Sequence, residues 1–169
     1  MPTSSLDPLF RWLESTAFTI WMVESPSLFA FPAILAVHTI GLGLLAGLNV
    51  AFDLRLLGVA RVVPPLAFTR FLPVMWVGLW ANVITGVLLV LAYPTKALTN
   101  PVFYLKLALI ATALLVLRAQ LRRTRAGDAD TTTTRRLAVV SLVLWASAIT
   151  AGRLLAYTCT RLLVDLPCR

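Results

Sequence analysis

The chain has a single histidine, His38, and it lies about twelve residues into a long apolar run beginning near residue 26. An imidazole at mid-bilayer depth needs a partner for at least one ring nitrogen, which a neighbouring Asn or Thr would supply. The sharper chemistry is ligation, with His38 as an axial ligand to the iron of haem b. Such a site asks for an imidazole, for glycines that let a flat macrocycle approach the backbone, and for cations to meet the propionates. Gly41 and Trp145 would shape that pocket, and Lys106 and Arg153, in the outer halves of two other apolar runs, would anchor the propionates. With one histidine in the chain, the second axial position is open, or is filled by Met75, Met22 or another protomer.

Further polar residues sit at membrane depth: Asn49, Asp53 and Arg55 towards the end of the first run, and Asn82 and Thr85 in the second. Ionisable groups there are costly unless paired or hydrated, so each is a functional candidate. Asp53 and Arg55 are an ion-pair candidate. Each residue also has a plainer explanation. Gly41, Gly43, Gly47, Gly78 and Gly86 suit close helix packing, Asn82 and Thr85 suit hydrogen bonds between helices, and Lys106 and Arg153 can reach the outer headgroups. One histidine and two distant cysteines do not make a closed zinc or copper site. The chain carries no P-loop, dinucleotide fingerprint, nucleophile elbow or metalloprotease helix, so a soluble-type enzyme is not expected.

The elements that must position these residues follow from composition. Of 169 residues, 59% are hydrophobic and 13% charged, with a mean hydropathy of +0.87. That apolar surplus requires lipid. The expected fold is all-α, a polytopic four-transmembrane-helix bundle in one unit. Its spans are expected at about 26–57, 74–93, 101–121 and 137–157, giving a bundle over 26–158. An amphipathic interfacial helix over 1–25, read from Leu6 to Val23, precedes it, and a tail of 159–169 follows. Arg122–Arg136, with Gly127 and a run of four threonines, reads as a mobile polar loop. No cleavable signal peptide is evident, and the first span is expected to act as its own insertion signal.

The net charge of +8 gathers at the ends of apolar segments, which points to membrane topology rather than to nucleic acid. Arg55, Arg61 and Arg70 flank the first loop, and Arg118, Arg122, Arg123, Arg125, Arg135 and Arg136 flank the third. The positive-inside rule then places both basic loops in the cytoplasm and both termini in the periplasm of a bacterial inner membrane. In that compartment Cys159 and Cys168 would be free to form a disulfide, although two free thiols fit the sequence equally well.

The pattern resembles a family of uncharacterised bacterial four-span inner-membrane proteins of unknown function. The matching residues are His38-Thr39-Ile40-Gly41, Gly47, and Asp53-Leu54-Arg55-Leu56-Leu57-Gly58. Others are Asn82 with Thr85-Gly86, Phe103 with Lys106, and Trp145 with Gly152-Arg153. More distantly the layout is similar to the copper-resistance D membrane proteins and small b-type cytochromes, which place histidines in four-helix bundles. A single histidine departs from the di-haem members and excludes bis-histidine ligation within one chain.

Three functions are compatible with these residues. The first is a b-type haem protein for electron transfer or small-molecule chemistry. The second is a small channel or transporter, with His38 and Asn82 lining a polar path and Lys106 and Arg153 attracting anions. The third is a scaffold subunit of a larger membrane complex, docked through its basic loop. In each case the lipid bilayer is the first partner, and four short-looped helices enclose little volume, which favours a homo-oligomer or a larger assembly.

Overall fold

The computed structural model describes residues 7–157 and is all-α. Two short helices, α1 (Asp7–Glu14) and α2 (Ala17–Glu24), precede α3 (Phe31–Leu56). A 3₁₀ segment, Pro65–Phe71, runs directly into α4 (Leu72–Ala92), and a short α5 (Pro94–Leu98) turns the chain into α6 (Pro101–Arg125). The last element is α7 (Thr132–Tyr157). α3, α4 with its 3₁₀ lead-in, α6 and α7 are each long and apolar enough to cross a membrane, giving the four-span bundle that composition requires. At most 28% of any span's apolar window is buried in the bundle, so the outward faces need lipid. Trp76, Trp80, Ile84, Leu105, Leu115 and Val143 are among the large side chains left on those faces.

Punctuation residues set the ends. Pro32, Pro73 and Pro101 each occupy the first turn of a span, where a missing N–H costs nothing. Asn100 caps α6 by accepting from Val102 N at 2.9 Å. Past the end of α3 the chain reverses through Gly58, at φ +103°, and Ala60, at φ 51°. At 26 residues α3 is about 39 Å long, more than a hydrocarbon core of about 30 Å.

α3 is the central helix. It packs along α4 on one side and against α7 on the other, and α6 packs along α7, giving the lateral order α4–α3–α7–α6. The 3₁₀ segment touches α3, α4 and α6 and closes the end of the bundle where the arginines gather. The seam between α3 and α4 is made of glycine. A Cβ placed on Gly41 would lie 2.9 Å from the Gly78 carbonyl oxygen, and one on Gly78 would lie 2.8 Å from that of Gly41. The two backbones therefore meet with no side chain between them, as small residues permit between membrane helices.

Three expectations need correction. The amino-terminal helix is not continuous: Ser15-Thr16 breaks it, and Thr16 Oγ1 caps α2 by accepting from Thr19 N at 3.3 Å. α1 is amphipathic, with Phe10 buried and Arg11 and Glu14 exposed, whereas α2 is apolar around its circumference and buries Met22 completely. The first span starts at Phe31 rather than near residue 26, because Ser25 and Ser27 bond the backbone N–H groups of Ser27 and Phe29 and hold a turn there.

The basic loop is likewise shorter than expected, since α6 runs to Arg125 and α7 starts at Thr132. Thr131 caps α7 through Thr134 N at 3.4 Å. Buried Thr134 donates to the Asp128 carbonyl at 2.8 Å and accepts from Arg123 Nε at 3.1 Å. The threonine run is thus a helix start. Cys159, Cys168 and the proposed tail lie outside the described residues.

The glycine seam makes a direct prediction. Gly41→Ala and Gly78→Ala should each overpack it and cost about 1–3 kcal/mol, seen as earlier thermal unfolding in detergent. Gly43→Ala, whose added methyl meets nothing within 4 Å, should leave the midpoint unchanged. Equal midpoints for all three would refute the close crossing.

Candidate functional site

Two polar centres lie along α3, one on each side of its midpoint. The first is built around His38. Its Nδ1 is 2.9 Å from Thr85 Oγ1 on α4, and Asn82 Nδ2 donates to the His38 backbone carbonyl at 2.8 Å. Thr85 in turn donates to the carbonyl of Ala81 at 2.5 Å. Met75, Gly78, Asn82 and Thr85 are all buried, which makes this stripe of α4 its packing face. Gly86 lies against the imidazole, where an added Cβ would be 3.4 Å from Cε1. Lys106, half-buried on α6, is within electrostatic reach of the ring. Its ammonium rests by Gly152 of α7, 3.7 Å from where a Cβ would be.

The other proposed pocket residues go elsewhere. Gly41 serves the helix crossing. Arg153 is exposed on the outside of α7. Trp145 is completely buried in the core with Leu45, Ala46 and Phe52. It sits one turn from Ser141, which reaches Asn49, and Asn49 lies about 16 Å along α3 from His38. Lys106 is thus within electrostatic reach of His38 without being hydrogen-bonded to it, while Trp145 belongs to the second centre.

That second centre consists of three i, i+4 pairs, one from each of three helices: Asn49 and Asp53 of α3, Gln120 and Thr124 of α6, Ser141 and Trp145 of α7. Residues four apart lie on one helical face, so each helix presents two polar groups inward, one turn apart. Asn49, Asp53, Gln120, Ser141 and Trp145 are all 0% exposed and Thr124 is 4% exposed. Gln120 Nε2 donates to Asp53 Oδ1 at 2.7 Å, and Ser141 Oγ donates to Asn49 Oδ1 at 3.4 Å. Ser141 is also close enough to interact with the Asp53 carboxylate.

Five buried side-chain atoms among the described residues have no hydrogen-bond partner, and all five are here: Asn49 Nδ2, Asp53 Oδ2, Gln120 Oε1, Thr124 Oγ1 and Trp145 Nε1. Unpartnered buried polar atoms are rare because each forfeits its hydration, so a cluster of five calls for a function or an occupant.

The expected pairing of Asp53 with Arg55 does not form. Residues two apart on a helix face different ways. Arg55 instead turns to the reversing loop, donating from Nη2 to the Arg61 carbonyl at 3.3 Å and from Nε to the Val63 carbonyl. It holds the chain reversal, and Asp53 keeps no basic neighbour on its own helix.

Gln120, Thr124 and Ser141 were not singled out by sequence reasoning. The available signal was spacing. Ala113, Leu117, Gln120 and Thr124 recur at intervals of 4, 3 and 4, as do Thr134, Ala138, Ser141 and Trp145, and all eight are buried. Gln120 lies between Arg118 and Arg122, so charge density masked a core stripe.

Removing the Gln120 amide should leave the Asp53 carboxylate without its donor. Gln120→Leu is expected to destabilise the protein by about 1–3 kcal/mol, and adding Asp53→Leu to recover most of it, since replacing both partners of a buried bond is nearly neutral. Chemical unfolding of the single and double variants checks this, and an additive double variant would contradict the pairing. No family model, curated protein or solved structure matches this chain.

Proposed function

We propose that the chain is a small ion-coupled channel or transporter, with Asp53 as its ion-binding group. The observation that carries this reading is the carboxylate itself, fully buried, bonded through one oxygen to a neutral amide, with its other oxygen unpartnered. An intramembrane carboxylate retained at that cost marks an ion or proton path more often than a packing site. The polar groups on three separate helices support a path between them, and His38, Thr85 and Lys106 lie farther along the same central helix. On the positive-inside rule Asp53 would be reached from the cytoplasm and His38 from the periplasmic half.

The test is flux in proteoliposomes. The wild-type chain should carry an ion current or ion-driven uptake that Asp53→Asn lowers at least about tenfold, as expected when a required ion ligand is removed. A folded protein with no flux under any ion gradient would sink the reading and leave a scaffold subunit in its place.

A second reading keeps His38 as a ligand of haem b, and it rests on Thr85. With Nδ1 held by the Thr85 hydroxyl, Nε2 is the nitrogen left for iron, which is how a ligating histidine is usually oriented. A bound haem would supply one-electron chemistry. The donor fits. Two cavities of the bundle lie away from the imidazole, one under the 3₁₀ segment against Phe52 and Met75, the other on the α6–α7 face around Val102, Leu109 and Thr150, so neither supplies a seat for the macrocycle at that ring. A colourless preparation from haem-replete cells would end this reading, whereas a Soret band lost in His38→Ala would restore it.

A further inference from the structure

We propose that the buried centre between α3, α6 and α7 is a sodium site, with Asp53, Gln120 and Thr124 as its principal ligands. The proposal rests on reading Asp53 as an ion-binding carboxylate and names the ion. Three of the five unpartnered atoms are oxygens with free lone pairs, Asp53 Oδ2, Gln120 Oε1 and Thr124 Oγ1, on residues at most 4% exposed. Gln120 and Thr124 are successive turns of one face of α6, and Gln120 is already bonded to Asp53, so these oxygens belong to one locality. Asn49 and Ser141 add two further oxygens joined only by a long 3.4 Å bond.

The chemistry of this set selects the ion. All the candidate ligands are hard oxygens, and among the described residues no three His, Cys, Asp or Glu side chains gather, so a soft or transition metal has no suitable donors. A single carboxylate balances one positive charge. A divalent cation would leave an uncompensated charge in a low-dielectric interior, which is strongly disfavoured. The positive charge is not supplied by the nearest arginines: Arg55 is turned to the loop carbonyls, and Arg123 is engaged by Asp128 at 3.9 Å and by Thr134.

A proton on Asp53 would satisfy that carboxylate and one acceptor but leave the remaining oxygens unserved, whereas a cation meets several at once. Principal ligands from α3 and α6, with Ser141 of α7 beside them, also mean that the ion would fasten α3 to the α6–α7 pair.

The experiment is thermal unfolding of the purified full-length chain in detergent, in sodium, potassium and choline chloride at equal ionic strength, at neutral and mildly acidic pH. A ligand that binds only the folded state raises the midpoint with its concentration. Sodium should therefore raise it by several degrees over the other two salts. That increment should vanish in Asp53→Asn and shrink in Thr124→Val, which removes one oxygen while keeping the side chain's shape. If Asp53→Asn fails to fold, Thr124→Val carries the test, because a merely structural role would lower its midpoint equally in all three salts. Identical wild-type midpoints in the three salts would overturn the site, as would a midpoint that follows pH with no sodium dependence. Sodium-selective stabilisation without flux supports the site and overturns the transport reading, while flux without a sodium effect does the reverse.

Discussion

The structure depends on how one helix is shared between two different kinds of contact. On one side α3 meets α4 backbone to backbone, through Gly41 and Gly78, where an added methyl group would collide with a carbonyl oxygen. On the other it meets α6 and α7 through buried polar groups, with the Asp53–Gln120 bond at 2.7 Å as the tightest tie. Lipid gives no hydrophobic drive to bring helices together, so close van der Waals packing and interhelical hydrogen bonds must do so. The α3–α4 face combines the two devices, since Asn82 and Thr85 bond His38 beside the glycine crossing, whereas the other face of α3 carries no glycine crossing and relies on side chains. α4 does not pack along α6, and the four spans form a row rather than a closed ring, fastened at its basic end by the 3₁₀ segment.

That division explains where the polar residues sit. A tight glycine seam has no space for a ligand, and His38 lies just beyond it, where Thr85 bonds the ring and Gly86 leaves room for it. The looser α3–α6–α7 junction holds larger side chains and tolerates groups whose hydrogen bonds are incomplete. Burial of a carboxylate there, in a chain whose excess charge is strongly positive, shows that net charge says little about local pairing. Arg55 turns to loop carbonyls and Arg123 to Asp128, and among the described residues no arginine is paired with Asp53.

Much of this was legible in the sequence. Apolar run length and the prolines and Asn100 at the span starts locate four helices, and the spacing of Met75, Gly78 and Asn82 marks the packing face of α4. The break between α1 and α2 was hidden because Ser15 and Thr16 are as polar as a wet helix face, and only their backbone bonding distinguishes a cap from a surface. Arg122–Arg136 looked like a solvated loop because helix ends at a membrane surface share a loop's composition. His38 stood out as the sole imidazole, but its partner is a threonine whose identity depends on how α3 and α4 cross. The second centre was least visible. Gln120, Thr124 and Ser141 are ordinary residues singly, and only tertiary packing brings them to Asp53.

One consequence follows from the stiffness of α3. His38 and Asp53 are fifteen residues apart on an unbroken helix, about 22 Å along its axis. Such a rod does not bend easily over that distance, so a movement at one end must appear at the other as rotation or sliding. Asn82 and Thr85 tie α4 to α3 at His38, so such a movement would be carried to α4 as well. A displacement at the Asp53 centre is therefore mechanically linked to the imidazole about four turns away along the same rod.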